Sequence, residues 1–141
     1  MTTDETLGRR SMVAVGVDGS GGGRRALRFA LAEATIRACP VLAVRVVPPG
    51  ADEQAAEEAL RAEVKAAGEQ VASAVEILTE VRRGDPVEVL VDVSATVTLL
   101  VVGSHGTGSL IHSALGSVSN ACAQLAQSPV VVLPRSAPDS L

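Results

Sequence analysis

Apolar and polar positions divide the chain into alternating buried runs and helical periods. Residues 12–17, MVAVGV, form an unbroken apolar run closed by Asp18, Gly19 and Ser20, the pattern of a strand buried on both faces. Over residues 24–38, Leu27, Ala30, Leu31, Ala34 and Ala38 recur at helical spacing while Arg24, Arg25 and Arg28 take another face, which predicts an amphipathic helix. Three glycines at 21–23 precede it. Glycine in a helix costs up to ~1 kcal/mol per residue, so these read as a mobile loop. Cys39-Pro40 stops the helix, and VLAVRVV at 41–47 resumes as a valine-rich strand ended by Pro48, Pro49 and Gly50.

A second helix is expected over 51–72, with Ala56, Leu60, Val64, Ala67 and Val71 along one stripe and a Glu57–Arg61 pair on the wet face. Val75, Ile77, Thr79 and Val81 then alternate with more polar residues, as in a strand near a sheet edge. Asp85, Pro86 and Glu88 have the spacing of an N-cap, a first helical residue and the returning half of a capping box, opening a third helix to about residue 95. TLLVVG at 98–103 is another buried strand. The segment SHGTGSLIHSALGS after it has no clear period, and Val118, Ala121, Cys122 and Leu125 mark the core face of a fourth helix. VVVL at 130–133 is the last strand, and the tail beyond Pro134 is expected to be flexible, as are residues 1–10.

The order strand–helix, repeated four times and closed by a strand, forces parallel strands joined by right-handed helical crossovers. The expectation is one α/β domain over 11–134, an open parallel sheet with helices on both faces. In such sheets ligands bind beyond the carboxyl ends of the strands, where the winding reverses.

Composition narrows the partners. The 141 residues carry a net charge of −4, without the basic excess that nucleic-acid backbones demand. One aromatic residue, Phe29, is present, so a bound base must be held by aliphatic groups. No run approaches the ~20 apolar residues of a membrane helix, and the start lacks the apolar segment of a secretory signal. Cys39 and Cys122 stand apart, with no metal-ligand spacing. A cytoplasmic location is the expectation.

The segment with chemistry is Gly103-Ser104-His105-Gly106, nine residues, then Gly116-Ser117-Val118-Ser119. Glycines after a buried strand let a ligand approach the backbone. A helix opening at Gly116 presents unpaired N–H groups and partial positive charge to a phosphate, with the Ser117 and Ser119 hydroxyls as further donors. The plain alternative is an ordinary strand-to-helix loop with a serine cap. Asp18 either caps the helix after it or accepts hydrogen bonds from a ligand. His105 is a ligand contact or a loop residue.

This arrangement resembles the universal stress protein family, whose nucleotide-binding members carry glycine, two residues, glycine, nine residues, then glycine followed by serine or threonine. VAVGVDGS, the RRAL helix start, VRRGDP and SPVVVLP extend the likeness over nearly the whole chain. The resemblance implies strand order 3-2-1-4-5 and an ATP or AMP site. Asp18 would meet the adenine edge, with Gly16, Val17, Gly19 and Ser20 on that side and Val46 lining the base pocket. Val102, Gly103, Ser104, His105 and Gly106 would follow the ribose and first phosphates, and Gly116, Ser117, Val118 and Ser119 the remaining phosphates. It also implies a homodimer through residues 130–133 and a role as a stress-response sensor or regulator.

One departure is that residues 103–119 contain no Lys or Arg. Phosphate charge would then rest on backbone N–H groups, hydroxyls and Mg²⁺ accompanying ATP. For catalysis the only acid–base candidates are Asp18 and His105, which supports at most slow ATP hydrolysis. A dimeric interaction module with an empty site is the remaining alternative.

Overall fold

The computed structural model describes residues 3–4, 9–19, 21–104 and 116–134. The expected parallel strands are β2 (Arg9–Gly16), β3 (Val41–Val47), β4 (Ile77–Arg83), β5 (Val97–Gly103) and β6 (Val130–Leu133), and a two-residue β1 (Thr3–Asp4) precedes them. The order across the sheet is β4-β3-β2-β5-β6, with β1 antiparallel to β2. Counting the parallel strands alone gives 3-2-1-4-5, so the winding reverses between β2 and β5. That reversal is the expected switch point.

Continuous apolar runs occupy the centre. Val13, Ala14 and Val15 of β2 and Leu100 and Val101 of β5 are fully buried, and β2 lies between β3 and β5. The outer strands β4 and β6 are only half-buried. Alternate residues of the central strands feed two cores. Val13, Val15, Val41, Ala43, Leu99 and Val101 pack with Leu27, Leu31 and Leu60 on one face. Met12, Ala14, Val44, Leu100 and Val102 pack with Leu90, Val93 and Cys122 on the other. Helices α1 (Gly21–Arg37) and α2 (Glu53–Val71) therefore cover the first face, and α3 (Pro86–Ser94) and α4 (Ser117–Leu125) the second.

The capping chemistry is as expected for α3: the Asp85 carboxylate accepts from Glu88 N at 3.0 Å, with Pro86 in the first turn. Asp52 does the same for α2, accepting from Ala55 N at 3.1 Å. The Glu57–Arg61 pair forms at 2.9 Å on an exposed surface.

Three expectations are corrected. The glycines at 21–23 are not a loop but the first turn of α1; the buried stripe from Ala26 to Ala34 that follows outweighs their weak propensity. Ala38 is exposed rather than core, because it ends α1 with φ 53° while Cys39 N donates back to Ala34 O at 3.1 Å. Leu125 is 58% exposed; α4 instead turns Ser119 and Cys122 inward. Near the start of the chain, Thr3 pairs with Arg10 and Asp4 with Arg9, and Arg10 N donates to Thr96 O at 3.1 Å. The expected tail at 135–141 lies outside the described residues.

The two cysteines sit in opposite cores, Cys39 just after α1 and Cys122 on the buried side of α4, both as free thiols. Burial pushes each thiol above its ordinary value of 9.0. The folded state therefore resists thiolate formation. This contribution to stability is complete below the unfolded thiol's pKa and is lost as pH rises through the raised folded value. At neutral pH, alkylation of Cys122 by iodoacetamide is expected to run at least about tenfold slower than in urea-unfolded chain, as mass spectrometry would measure.

Candidate functional site

The carboxyl ends of β2 and β5 each pass directly into the segments that carry the candidate residues. Gly16 ends β2, and a side chain there would meet Leu90 Cδ1 at 3.3 Å and Val102 Cγ1 at 3.7 Å. Its glycine thus allows α3 to lie close to the sheet. Val17 buries its side chain in the core under α1, and its N–H donates to Val44 O at 2.9 Å. Asp18 follows as an exposed acid, and Gly19 turns the chain with φ +88°, a conformation that side-chain-bearing residues seldom adopt.

Across the reversal, Val102 is buried in the core under α3 and α4 and Gly103 ends β5. Ser104, 3% exposed, donates its N–H to Leu133 O at 2.7 Å. Its carbonyl accepts the Gly116 N–H and the Ser119 hydroxyl, the latter at 2.9 Å. The start of α4 is thereby fastened to the end of β5, so the two ends of the candidate phosphate loop meet. Ser20, His105 and Gly106 lie outside the described residues.

Gly116 is the N-cap of α4, extended with φ −68° and ψ 163°, and no side-chain hydrogen bond caps this helix. Whereas α2 and α3 have aspartate caps, α4 opens on a glycine, and among the described residues no side chain caps its first turn. Ser117 is exposed there and Val118 is half-buried against the core. Ser119 is 1% exposed and its hydroxyl lies against two carbonyls, Ser104 O at 2.9 Å and Gly116 O at 3.1 Å. Its hydroxyl is thus engaged beneath the start of α4. Ser119→Ala, which deletes the tie, is expected to lower stability by roughly 1–2 kcal/mol, measured as a shift in the urea midpoint.

Val46 stands one residue from the end of β3 and packs on the side of α3. The sequence reading missed its neighbour, Arg45. A Cβ built on Gly19 would lie 3.3 Å from Arg45 Nη1, so the guanidinium has climbed from β3 to the turn after β2. Arg24 reaches the same turn from α1, donating to Gly19 O at 3.3 Å. The signal was a lone charge inside the apolar run VLAVRVV.

A groove of about 410 Å³ lined by Ala38, Cys39, Pro40, Val75 and Glu76 lies at the amino ends of β3 and β4, opposite the crevice. Among the described residues no cluster of three or more His, Cys, Asp or Glu is placed to hold a metal, and no helix is long and apolar enough to cross a membrane.

An open parallel sheet with two helices on each face, and a glycine-flanked crevice at the strand reversal, defines a doubly wound α/β protein. The sequence model of the universal stress protein family matches residues 11–134, and the chain belongs to that family. It is 39% identical over 131 residues to a universal stress protein of Mycobacterium tuberculosis, covering 85% of this chain and 44% of that protein. The chain thus spans about half the length of the curated relatives it matches. Among solved structures, a universal stress protein in complex with cAMP superposes with a TM-score of 0.71 at 28% identity, over 91% of this chain and 99% of the other. An AMP-bound family member from Arabidopsis thaliana shares the fold, with a TM-score of 0.66 at 20% identity over 94% and 97%.

Proposed function

We propose that this chain binds an adenine nucleotide, AMP or ATP, in the crevice between the ends of β2 and β5 and acts as a stress-response sensor or regulator. The observation that carries the reading is the uncapped start of α4, tied to Ser104 beside the end of β5. There a phosphate can take the first-turn N–H groups. The cAMP complex of the 28% identical relative supports an adenine nucleotide as the ligand class. In this reading the Asp18–Ser20 turn and Val46 border the base, and Val102–Gly106 follow the ribose. Gly116, Ser117 and Val118 meet phosphate, while Ser119 holds them in place. Mg²⁺ would enter with ATP, bound chiefly through phosphate oxygens and water.

The half-buried edge strand β6 is the surface through which two copies would pair, and the cytoplasm is the proposed location. Nucleotide occupancy would alter the loop between β5 and α4 and hence what a partner meets.

A direct test exploits composition. The chain has no Trp or Tyr, so a co-purified nucleotide would dominate its near-ultraviolet absorption. Denaturing freshly purified protein and chromatographing the released small molecules should yield an adenine nucleotide. A chain that releases none and binds none when titrated would be an empty-site interaction module instead.

A further inference from the structure

The parallel sheet has two edges, and β4 is the longer, with seven residues against four for β6. Its register with β3 runs unbroken from Ile77 to Arg83. Bulges, prolines and lysines commonly keep an edge from pairing, and residues 75–83, VEILTEVRR, have none of them. Val41 N donates to Glu76 O at 2.9 Å and Gly84 N to Val47 O at 3.0 Å, so the even-numbered residues of this strand bond inward to β3. The backbone groups of Ile77, Thr79 and Val81 therefore face outward, with no strand beside them among the described residues.

The charges along this edge are ordered to meet a copy of themselves. Ile77 and Val81 pack on the α2 side of the sheet and Leu78 on the α3 side, so Glu76, Glu80 and Arg82 share the side of Leu78. An antiparallel strand of the same sequence, related by a two-fold axis at Thr79, sets Ile77 opposite Val81 and Glu76 opposite Arg82, each pair occurring twice. Leu78 then faces the stem of Glu80. Glu76 is exposed and enters none of the ion pairs among the described residues. Arg82 donates through Nη2 alone to both carboxylate oxygens of Glu80, at 3.1 and 3.2 Å, which leaves Nε and Nη1 for a second carboxylate. Axes at Leu78 or Glu80 would oppose glutamates. An axis at Val81 would leave Glu76 unmatched and set Leu78 and Ile77 against Gly84 and Asp85, beyond the strand.

We propose that β4 is a self-association edge, to which a second copy of this chain adds its own β4 antiparallel about a two-fold axis at Thr79. The occupant is a copy because the complementarity is to this sequence itself, as an isologous contact requires. Main-chain bonds of Ile77, Thr79 and Val81 supply affinity, and the Glu76–Arg82 pairs fix the register. The contact lies on the opposite edge from β6 and does not depend on the nucleotide reading. If both edges pair, assemblies exceed two chains, so the test reads which residues are joined and not size alone.

The test is cross-linking of the full chain. Thr79→Cys puts a thiol on the axis, where opposed Cα atoms stand about 5.5 Å apart, within disulfide reach. Under mild oxidation this variant is expected to form a disulfide-linked dimer at least about tenfold faster than Glu58→Cys, on the exposed face of α2. The parent chain, with both its cysteines buried, should show no linked dimer on a denaturing non-reducing gel. Adding Glu76→Arg to Thr79→Cys should slow the link about tenfold, and adding Arg82→Glu as well should restore it to within about threefold. A link in Thr79→Cys no faster than in Glu58→Cys overturns the proposal. So does a link indifferent to Glu76→Arg, the result expected if the charges only guard the edge. If Thr79→Cys misfolds, sedimentation of the parent chain should show self-association about tenfold tighter than that of Glu76→Arg, and equal association overturns the proposal.

Discussion

Gly116→Val is expected to weaken AMP binding about 100-fold, equivalent to about 2.7 kcal/mol, while the chain still folds cooperatively with at most a modest loss of stability at this buried position. The reasoning turns on why a glycine is there. Its backbone, at φ −68° and ψ 163°, is ordinary extended geometry that any residue adopts, so the conformation does not demand glycine. What the residue supplies is a missing side chain at the entrance to the first turn of α4. In the proposed reading, an isopropyl group there crowds a phosphate that approaches the N–H groups of Ser117 and Val118. The Gly116 N–H would still donate to Ser104 O, so the splice between β5 and α4 should survive. Calorimetry with AMP, alongside thermal unfolding followed by circular dichroism, separates loss of the site from loss of the fold.

Leu100→Ala is expected to lower stability by roughly 2–5 kcal/mol, a large share of the ~5–15 kcal/mol that a domain possesses. Leu100 is fully buried, pairs with Ala14 of β2 and Val130 of β6, and packs in the core that contains Leu90, Val93 and Cys122. Truncation would open a cavity between the sheet and α3 and α4, and rigid strands on both sides limit its collapse. Urea unfolding monitored by circular dichroism should show a lower midpoint with little change in slope. A smaller loss is expected on the edge: Val132 is half-buried on β6, and its truncation removes less apolar contact.

The same contrast explains what could be read from the sequence. Val13–Val15, Leu100 and Val101 announced themselves as continuous apolar runs because both faces of a central parallel strand are covered. Asp85, Pro86 and Glu88 announced a helix start because the cap is local chemistry. Ala38 misled because apolar periodicity cannot register a left-handed terminal residue. The tie made by Ser119 was not legible, because only the fold brings Ser104 O within 2.9 Å of its hydroxyl. Glycines 21–23 show propensity yielding to tertiary packing.

The candidate site was legible to the same degree. The glycine spacing and the strand reversal put Gly103 and Gly116 on one crevice, and the structure ties their surroundings together through Ser104. The approach of two arginines to the Gly19 turn was not legible. Arg24 and Arg45 are 21 positions apart in sequence and reach one turn only because α1 begins and β3 ends near Gly19. Contacts of that kind depend on topology, which periodicity does not encode.

The most direct measurement is calorimetric titration of the unmodified chain, stripped of any co-purified nucleotide, with AMP. The account predicts a saturable heat corresponding to a single site per chain, lost in Gly116→Val at unchanged fold. An absence of heat with AMP, ATP and cyclic AMP alike would contradict it.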